Sequence, residues 1–442
     1  MSQSNGVSGF GGMGQTAASS DAMQANAMPR EADAIAPRIS LAVFCVTPGF
    51  ATCMQTASGD RRMAKTKVWI GMGGCDAAVK RYQDRATPNL VIVETQEQGF
   101  SVFSDLERLA EVCSEETRVI VAGPSNDVSL YRELIRQGVC EYLVTPSSPL
   151  QVIEAITTAF ATPGSAPVAR SIVVFGVRGG VGSSVICHNL AAFLAQNSEK
   201  DTVLVDMDFE FGTAALDFNI EVKHTVVDAF SDLDSLDDVK IQRLIYPFND
   251  YLKLLPAPAD LRDKLMLNDD SALTLLDAMR HSCDLLVIDA PHSWSPSVAC
   301  SLRQAETIML VASPDLACLR NLKTVFDWLV EERPHDARPR IILNQIGMPK
   351  RPEISAREFQ EIVGAPIDAF IPYEPAIFGA AQNDGKLLGQ ITGGQKIAAK
   401  IEALADSILG LETNRGYTGA KKAKVNPIGV LSDALAGVLG KK

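Results

Sequence analysis

The chain has 442 residues, 46% of them hydrophobic, enough apolar material for two substantial cores. A formal net charge of −12 counts against a sequence-independent DNA binder, which neutralises phosphates with a basic surface. No stretch reads as a transmembrane span, and nine scattered cysteines without C-x-x-C spacing read as reduced thiols of a cytoplasmic protein, while the five histidines suggest no metal cage.

Residues 1–37 are mostly Gly, Ser, Ala, Gln and Met, too poor in branched apolar side chains to fold, and read as a disordered tail. From residue 38 to 162 short apolar strands alternate with helical stretches: Ile39 to Val46, Lys67 to Ile70, Leu90 to Val93, Arg118 to Ala122 and Glu141 to Val144. Five such strands in about 125 residues predict a small doubly wound α/β sheet. Pro163, Gly164 and Pro167 break both helix and strand, so residues 163–170 read as a linker.

A second α/β unit follows over residues 171–410. It opens with the apolar run Ile172 to Phe175, then Gly176-Val177-Arg178-Gly179-Gly180-Val181-Gly182-Ser183-Ser184, then a segment with apolar residues at helical spacing. Strand, glycine loop and helix in that order form a phosphate cradle, in which backbone N–H groups of Gly179, Gly180, Val181 and Gly182 converge on one anion. Both customary lysines are missing: the Lys of G-x-x-x-x-G-K-[ST] is Ser183, while Ser184 keeps the Mg²⁺-binding hydroxyl. Next comes a buried strand ending in Asp206 and Asp208, two carboxylates placed to hold Mg²⁺-bound water and to orient an attacking water. A further strand ends in Asp289, as a Walker B carboxylate does. A strand-end Asn344 and the proline-stiffened loop around Pro372 are candidates to flank a base. His188 reads as a packed helix residue, and Pro291-His292-Ser293 as loop structure beside the phosphates.

The loop R-G-G-V-G-S-S, the N-L-A of the next helix, D-x-D-x-x-x-G from Asp206, D-A-P from Asp289, and I-P-Y-E-P followed by Ala381-Gln382-Asn383-Asp384-Gly385 together resemble the ParA/MinD ATPases. Leu252-Lys253-Leu254-Leu255-Pro256-Ala257-Pro258 is similar to a strand of their pilus-assembly branch, TadZ/CpaE. The resemblance implies a P-loop NTPase domain with a mostly parallel sheet that binds ATP and Mg²⁺ as a homodimer. Within it Asp206 and Asp289 act on metal-bound water, Asp208 on the attacking water and Asn344 on adenine. Arg178 stands where the family's signature Lys reaches across the dimer to the partner's phosphates. A hydrogen bond to a charged group contributes roughly 1.5–3 kcal/mol, so losing the cis ammonium weakens ATP about 10- to 100-fold. Phosphoryl transfer leans harder on positioned cations, so hydrolysis is expected to be very slow or absent.

The first unit is similar to a response-regulator receiver whose phosphorylation chemistry is gone. Glu94 stands where the acceptor Asp belongs, Gly123 where a hydroxyl belongs, and Thr145 where the Lys before Pro belongs. The resemblance implies a degenerate interaction module. Residues 411–442 carry Lys421, Lys422 and Lys424, then Ile428, Leu431, Leu435 and Val438 on one helical face, a pattern suited to docking on an anionic membrane or a partner. The leading expectation is an ATP-binding localisation scaffold for a Tad secretion system that builds Flp pili, cytoplasmic and peripheral to the inner membrane at a cell pole. A membrane-cycling ATPase like MinD and a DNA-partition ATPase are the alternatives.

Overall fold

The computed structural model describes residues 35–97, 99–161, 168–221, 238–257 and 269–411. The expected N-terminal tail up to residue 34, residues 162–167 of the linker region and the C-terminal tail from residue 412 lie outside them.

The first five strands are β1 (Ser40–Cys45), β2 (Lys67–Met72), β3 (Leu90–Glu94), β4 (Arg118–Gly123) and β5 (Glu141–Val144). They form one fully parallel sheet in the order β2-β1-β3-β4-β5, the flavodoxin-like order of receivers. Alternation along β1 sends Leu41, Val43 and Cys45 to one face and Ala42 and Phe44 to the other, and both faces are covered. The helices are α1 (Pro48–Ser58), α2 (Gly74–Tyr82), α3 (Val102–Ala110), α4 (Val128–Arg136) and α5 (Pro149–Phe160). Phe50 and Met54 of α1 and Ile153 and Ile156 of α5 fill one side; Ala78, Leu109 and Leu134 from the middle helices fill the other. Local chemistry starts these helices where the sequence allows. Thr47 accepts from the Phe50 N–H ahead of a first-turn Pro48, and Ser148 forms a capping box with Gln151.

The second sheet contains β6 (Arg170–Gly176), β7 (Thr202–Asp206), β8 (Tyr246–Pro247), β9 (Leu252–Leu255), β10 (Leu285–Ala290), β11 (Thr307–Ala312), β12 (Arg340–Ile346) and β13 (Ala369–Pro372). Its order is β13-β12-β11-β6-β10-β7-β9-β8, parallel throughout except for the antiparallel β8/β9 edge pair. The expected fold class, two doubly wound α/β sheets with the second mostly parallel, is the one observed. Sequence reading did not find the two-residue edge strand β8, which is too short to show a period. Likewise β2 runs past Ile70 to Met72, because Gly71 and Met72 continue the pairing with Phe44 and Cys45 of β1. Two helices flank the central strands near the site: α6 (Ser183–Ser198) and the short α7 (Ala214–Asp217).

A buried ionic cluster joins the two sheets' domains. Arg61 and Arg62, on the 3₁₀ turn before β2, reach the Asp336 carboxylate at 2.7 and 2.5 Å; Arg333 reaches it at 2.9 Å. Asp60 pairs Arg62 at 3.0 Å, and Arg61 also donates to the Gln304 carbonyl. Burial opposes ionisation of Asp336, but Arg61 and its companions outweigh it and hold the carboxyl well below the usual range.

Candidate functional site

The site stands at the carboxyl ends of three adjacent strands. β10 lies between β6 and β7, so the glycine loop after β6 and the carboxylates ending β7 and β10 meet, although the sequence separates them widely. Asp206 and Asp289 are direct cross-strand partners in the β7/β10 register.

The loop is shaped by glycine and fastened by side-chain amides. Gly180 and Gly182 take φ of +79° and +83°, which other residues adopt only under strain. A Cβ on Gly182 would also stand 2.6 Å from Asn344 Nδ2. The loop carbonyls turn outward to fixed donors: Asn321 Nδ2 to Val177 at 2.9 Å, Gln345 Nε2 to Gly180 at 2.7 Å and Asn344 Nδ2 to Val181 at 2.7 Å. Among the described residues, the N–H groups of Gly179, Gly180, Val181 and Gly182 donate to nothing. That leaves them for an anion, at the N-terminus of the sixteen-residue α6. Ser183 and Ser184 are half-buried in the helix's first turn.

Asn344, expected beside adenine, is buried at the β12 strand end, where its Nδ2 donates to the Val181 carbonyl and fastens the loop. Pro372 lies half-buried at the end of the edge strand β13. Arg178 is half exposed and pairs with Asp315 of its own chain at 3.2 Å. Asp208 is half-buried, and its Oδ1 accepts the N–H groups of Glu210 and Phe211, so it shapes the turn after β7. The D-x-D-x-x-x-G spacing has a steric cause, since a Cβ on Gly212 would run into the Asp206 carboxylate and Ala257. His292 is exposed, and its ring packs against Gly179.

Beneath the loop is a charge cluster that sequence reading missed. His188, on α6 and fully buried, has Nδ1 2.7 Å from Asp217 Oδ2 and Nε2 3.3 Å from Asp289 Oδ2. His188, Asp206 and Asp289 each bring one ligand atom within 4.8 Å of the others. Burial alone would lower His188, but the Asp217 and Asp289 carboxylates outweigh it and push the imidazole up to about 10. Burial first, then the charge of Asp289, push Asp206 up to about 7 despite His188. Asp206 is anchored by accepting from the Asp208 and Ala214 N–H groups at 3.0 and 3.1 Å. Asp289 differs: both its carboxylate oxygens are buried and, among the described residues, accept no hydrogen bond. Such oxygens suit a divalent cation, so the donor set fits the Mg²⁺ implied by the sequence. His188 was read as a bland packed residue. The signal that could have found it is its i+4 spacing from Ser184, which puts both on one helix face.

These elements define a P-loop nucleotide-binding protein. A family model described as an AAA domain matches residues 169–332. The septum site-determining protein MinD of Synechocystis is 26% identical over 217 residues, 47% of this chain and 77% of that protein. The chromosome partitioning protein ParA of Myxococcus xanthus is 32% identical over 166 residues, 36% of this chain and 57% of that one. The crystal structure of a pilus assembly protein CpaE from Caulobacter crescentus is 43% identical, over 29% of this chain and 98% of that chain, with a TM-score of 0.29. The chain belongs to the ParA/MinD family of P-loop ATPases, on its CpaE-like branch.

Proposed function

We propose that this chain is an ATP-binding scaffold for pilus assembly that holds its nucleotide as a dimer and turns it over slowly or not at all. The observation that carries this reading is a glycine loop with its anion-facing N–H groups free and the strand-end carboxylates in place, but with Ser183 where the cis lysine belongs. Backbone and helix N-terminus are enough for binding; the missing ammonium removes a cation that the transition state needs. In this reading the loop from Gly179 to Ser184 holds the phosphates. Ser184, with Asp206 and Asp289 through water, holds Mg²⁺, which would neutralise phosphate charge, and Pro372 borders the base. Asp208 orients water if any hydrolysis remains. The domain division carries forward as residues 38–162 and 171–410, with the tail from residue 411 docking on a membrane or a partner and the whole acting at a cell pole. CpaE-like kinship supports the pilus link, and a MinD-type relative supports the nucleotide and the dimer.

Arg178 supplies the cation by leaving Asp315 and crossing to a second copy, as its half-exposed side chain permits. ATP affinity should therefore rise with protein concentration, and Arg178→Ala should abolish that rise and the ATP-driven dimer in sedimentation velocity. An affinity independent of protein concentration in the wild type would refute the crossing.

A further inference from the structure

Two buried groups without hydrogen-bond partners among the described residues, Asp289 and His188 Nε2, meet a third buried carboxylate, Asp206, one helical turn deeper than the Ser184 hydroxyl. Asp289 is 1% exposed and, among the described residues, neither of its carboxylate oxygens accepts a hydrogen bond. His188 is fully buried, and among the described residues its Nε2 has no hydrogen-bond partner, lying 3.3 Å from Asp289 Oδ2 without the alignment of a hydrogen bond. Asp206, also fully buried, is set in register beside Asp289, so two carboxylates face each other across neighbouring strands. A protonated His188 answers only part of this, because one imidazolium already serves Asp217 and cannot align with both oxygens of Asp289.

We infer that His188 Nε2, Asp206 and Asp289 form a direct-ligand site for a divalent transition-metal ion, with Zn²⁺, Co²⁺ and Mn²⁺ as the chemical class. The geometry carries this in three ways. The three donors lie within 4.8 Å of one another, and the ligands of a four-coordinate site with bonds of about 2.1 Å stand about 3.4 Å apart. The His188 to Asp289 edge already has that length, so Asp206 alone must close in. Its oxygens keep a lone pair each beyond the backbone N–H they accept. Asp217 completes the arrangement, since a metal-binding histidine characteristically offers its other ring nitrogen to a carboxylate, which fixes the ring and raises its basicity. The imidazole sets the selectivity: it suits Zn²⁺ and its neighbours, whereas Mg²⁺ prefers an all-oxygen shell with several waters. When the metal takes the Nε2 lone pair, the proton on that nitrogen leaves to solvent.

The site takes as direct ligands the two carboxylates that the nucleotide reading gives to Mg²⁺-bound water, and it is measured without nucleotide, so its failure leaves that reading standing. The probe is Co²⁺ added to the full-length chain after chelator treatment. One Co²⁺ per chain is expected, with visible ligand-field bands and no thiolate charge-transfer band. His188→Gln should remove the bands, and Asp217→Asn should weaken binding about 10- to 100-fold, the usual cost of losing an orienting carboxylate. Zn²⁺ should raise the melting temperature of the wild type more than Mg²⁺ at equal concentration, a comparison that stands even if the variants fail to fold. No bound Co²⁺, a thiolate band, equal Co²⁺ binding by a folded His188→Gln, or equal shifts with Zn²⁺ and Mg²⁺ would each overturn the assignment.

Discussion

Glu94 and Asp289 are both buried carboxylates at the carboxyl end of a central parallel strand, and their surroundings are opposite. Glu94, ending β3, accepts the N–H groups of Val46 and Thr47 at 2.6 and 2.8 Å and the Thr47 hydroxyl at 2.5 Å. Asp289, near the end of β10, accepts no hydrogen bond among the described residues, with His188 Nε2 3.3 Å from its Oδ2. The first sheet has closed the place where its resemblance would put a phosphoryl acceptor: the loop after β1 folds onto Glu94 and uses both of its oxygens. The second sheet keeps Asp289 available, with the cationic His188 imidazole rather than backbone amides facing its oxygens, while Asp206 beside it is anchored by two backbone N–H groups. A buried carboxylate that is fully hydrogen-bonded serves the fold; one left without acceptor bonds is held for a ligand.

The largest expected effect falls where the two regions join. Asp336→Ala leaves Arg61, Arg62 and Arg333 buried without their shared carboxylate and should cost about 3–5 kcal/mol in denaturant unfolding. It should also separate one unfolding transition into two, as each domain loses its hold on the other. A loss under about 1 kcal/mol would mean the domains do not depend on this cluster.

Next comes pH. His188 reaches about 10 in the fold from an ordinary value of 6.5, so its stabilisation is complete below pH 6.5 and is lost as pH climbs to about 10. Asp206 is raised from 3.8 to about 7, so the stability from its proton is present below pH 3.8 and is lost as pH rises through about 7. Chelator-treated wild type should therefore melt progressively lower from pH 4 to 10, with His188→Gln flatter above pH 6.5. Equal slopes for the two proteins in the upper window would show that His188 is neutral there.

The smallest effects separate the two carboxylates most cleanly. Glu94→Gln turns an amide NH₂ toward donors and should cost about 2–3 kcal/mol. Asp289→Asn takes away one of the two carboxylates that raise His188 but leaves no backbone donor unpaired, and should lower metal-free stability less than Glu94→Gln does. Equal losses would erase the distinction between a closed site and an open one.

Much of this was legible in the sequence, for a local reason. The loop from Gly176 to Ser184 and the carboxylates Asp206 and Asp289 sit on contiguous strand-to-loop patterns, so their chemistry shows within a few residues. The buried parallel strands announce themselves as apolar runs. His188 did not show, because its partners Asp217 and Asp289 come to it only through sheet order and helix packing. Arg61 and Arg62 carry no sequence signal of their burial, since the carboxylate they meet lies some 275 residues away. Asn344 was recognised as a strand-end polar group, but its direction toward Val181 depends on the crossover from β12 to the loop after β6, which spacing cannot encode.

The central claim is a nucleotide site that binds far better than it hydrolyses, and one paired measurement bears on it most directly. ATP binding and steady-state turnover should be determined on the same preparations of wild type and Ser183→Lys with Mg²⁺ present. Saturable binding by the wild type, turnover close to the uncatalysed background and a clear rise in turnover with the lysine are the predicted results. Substantial wild-type turnover that the lysine does not increase would contradict the account.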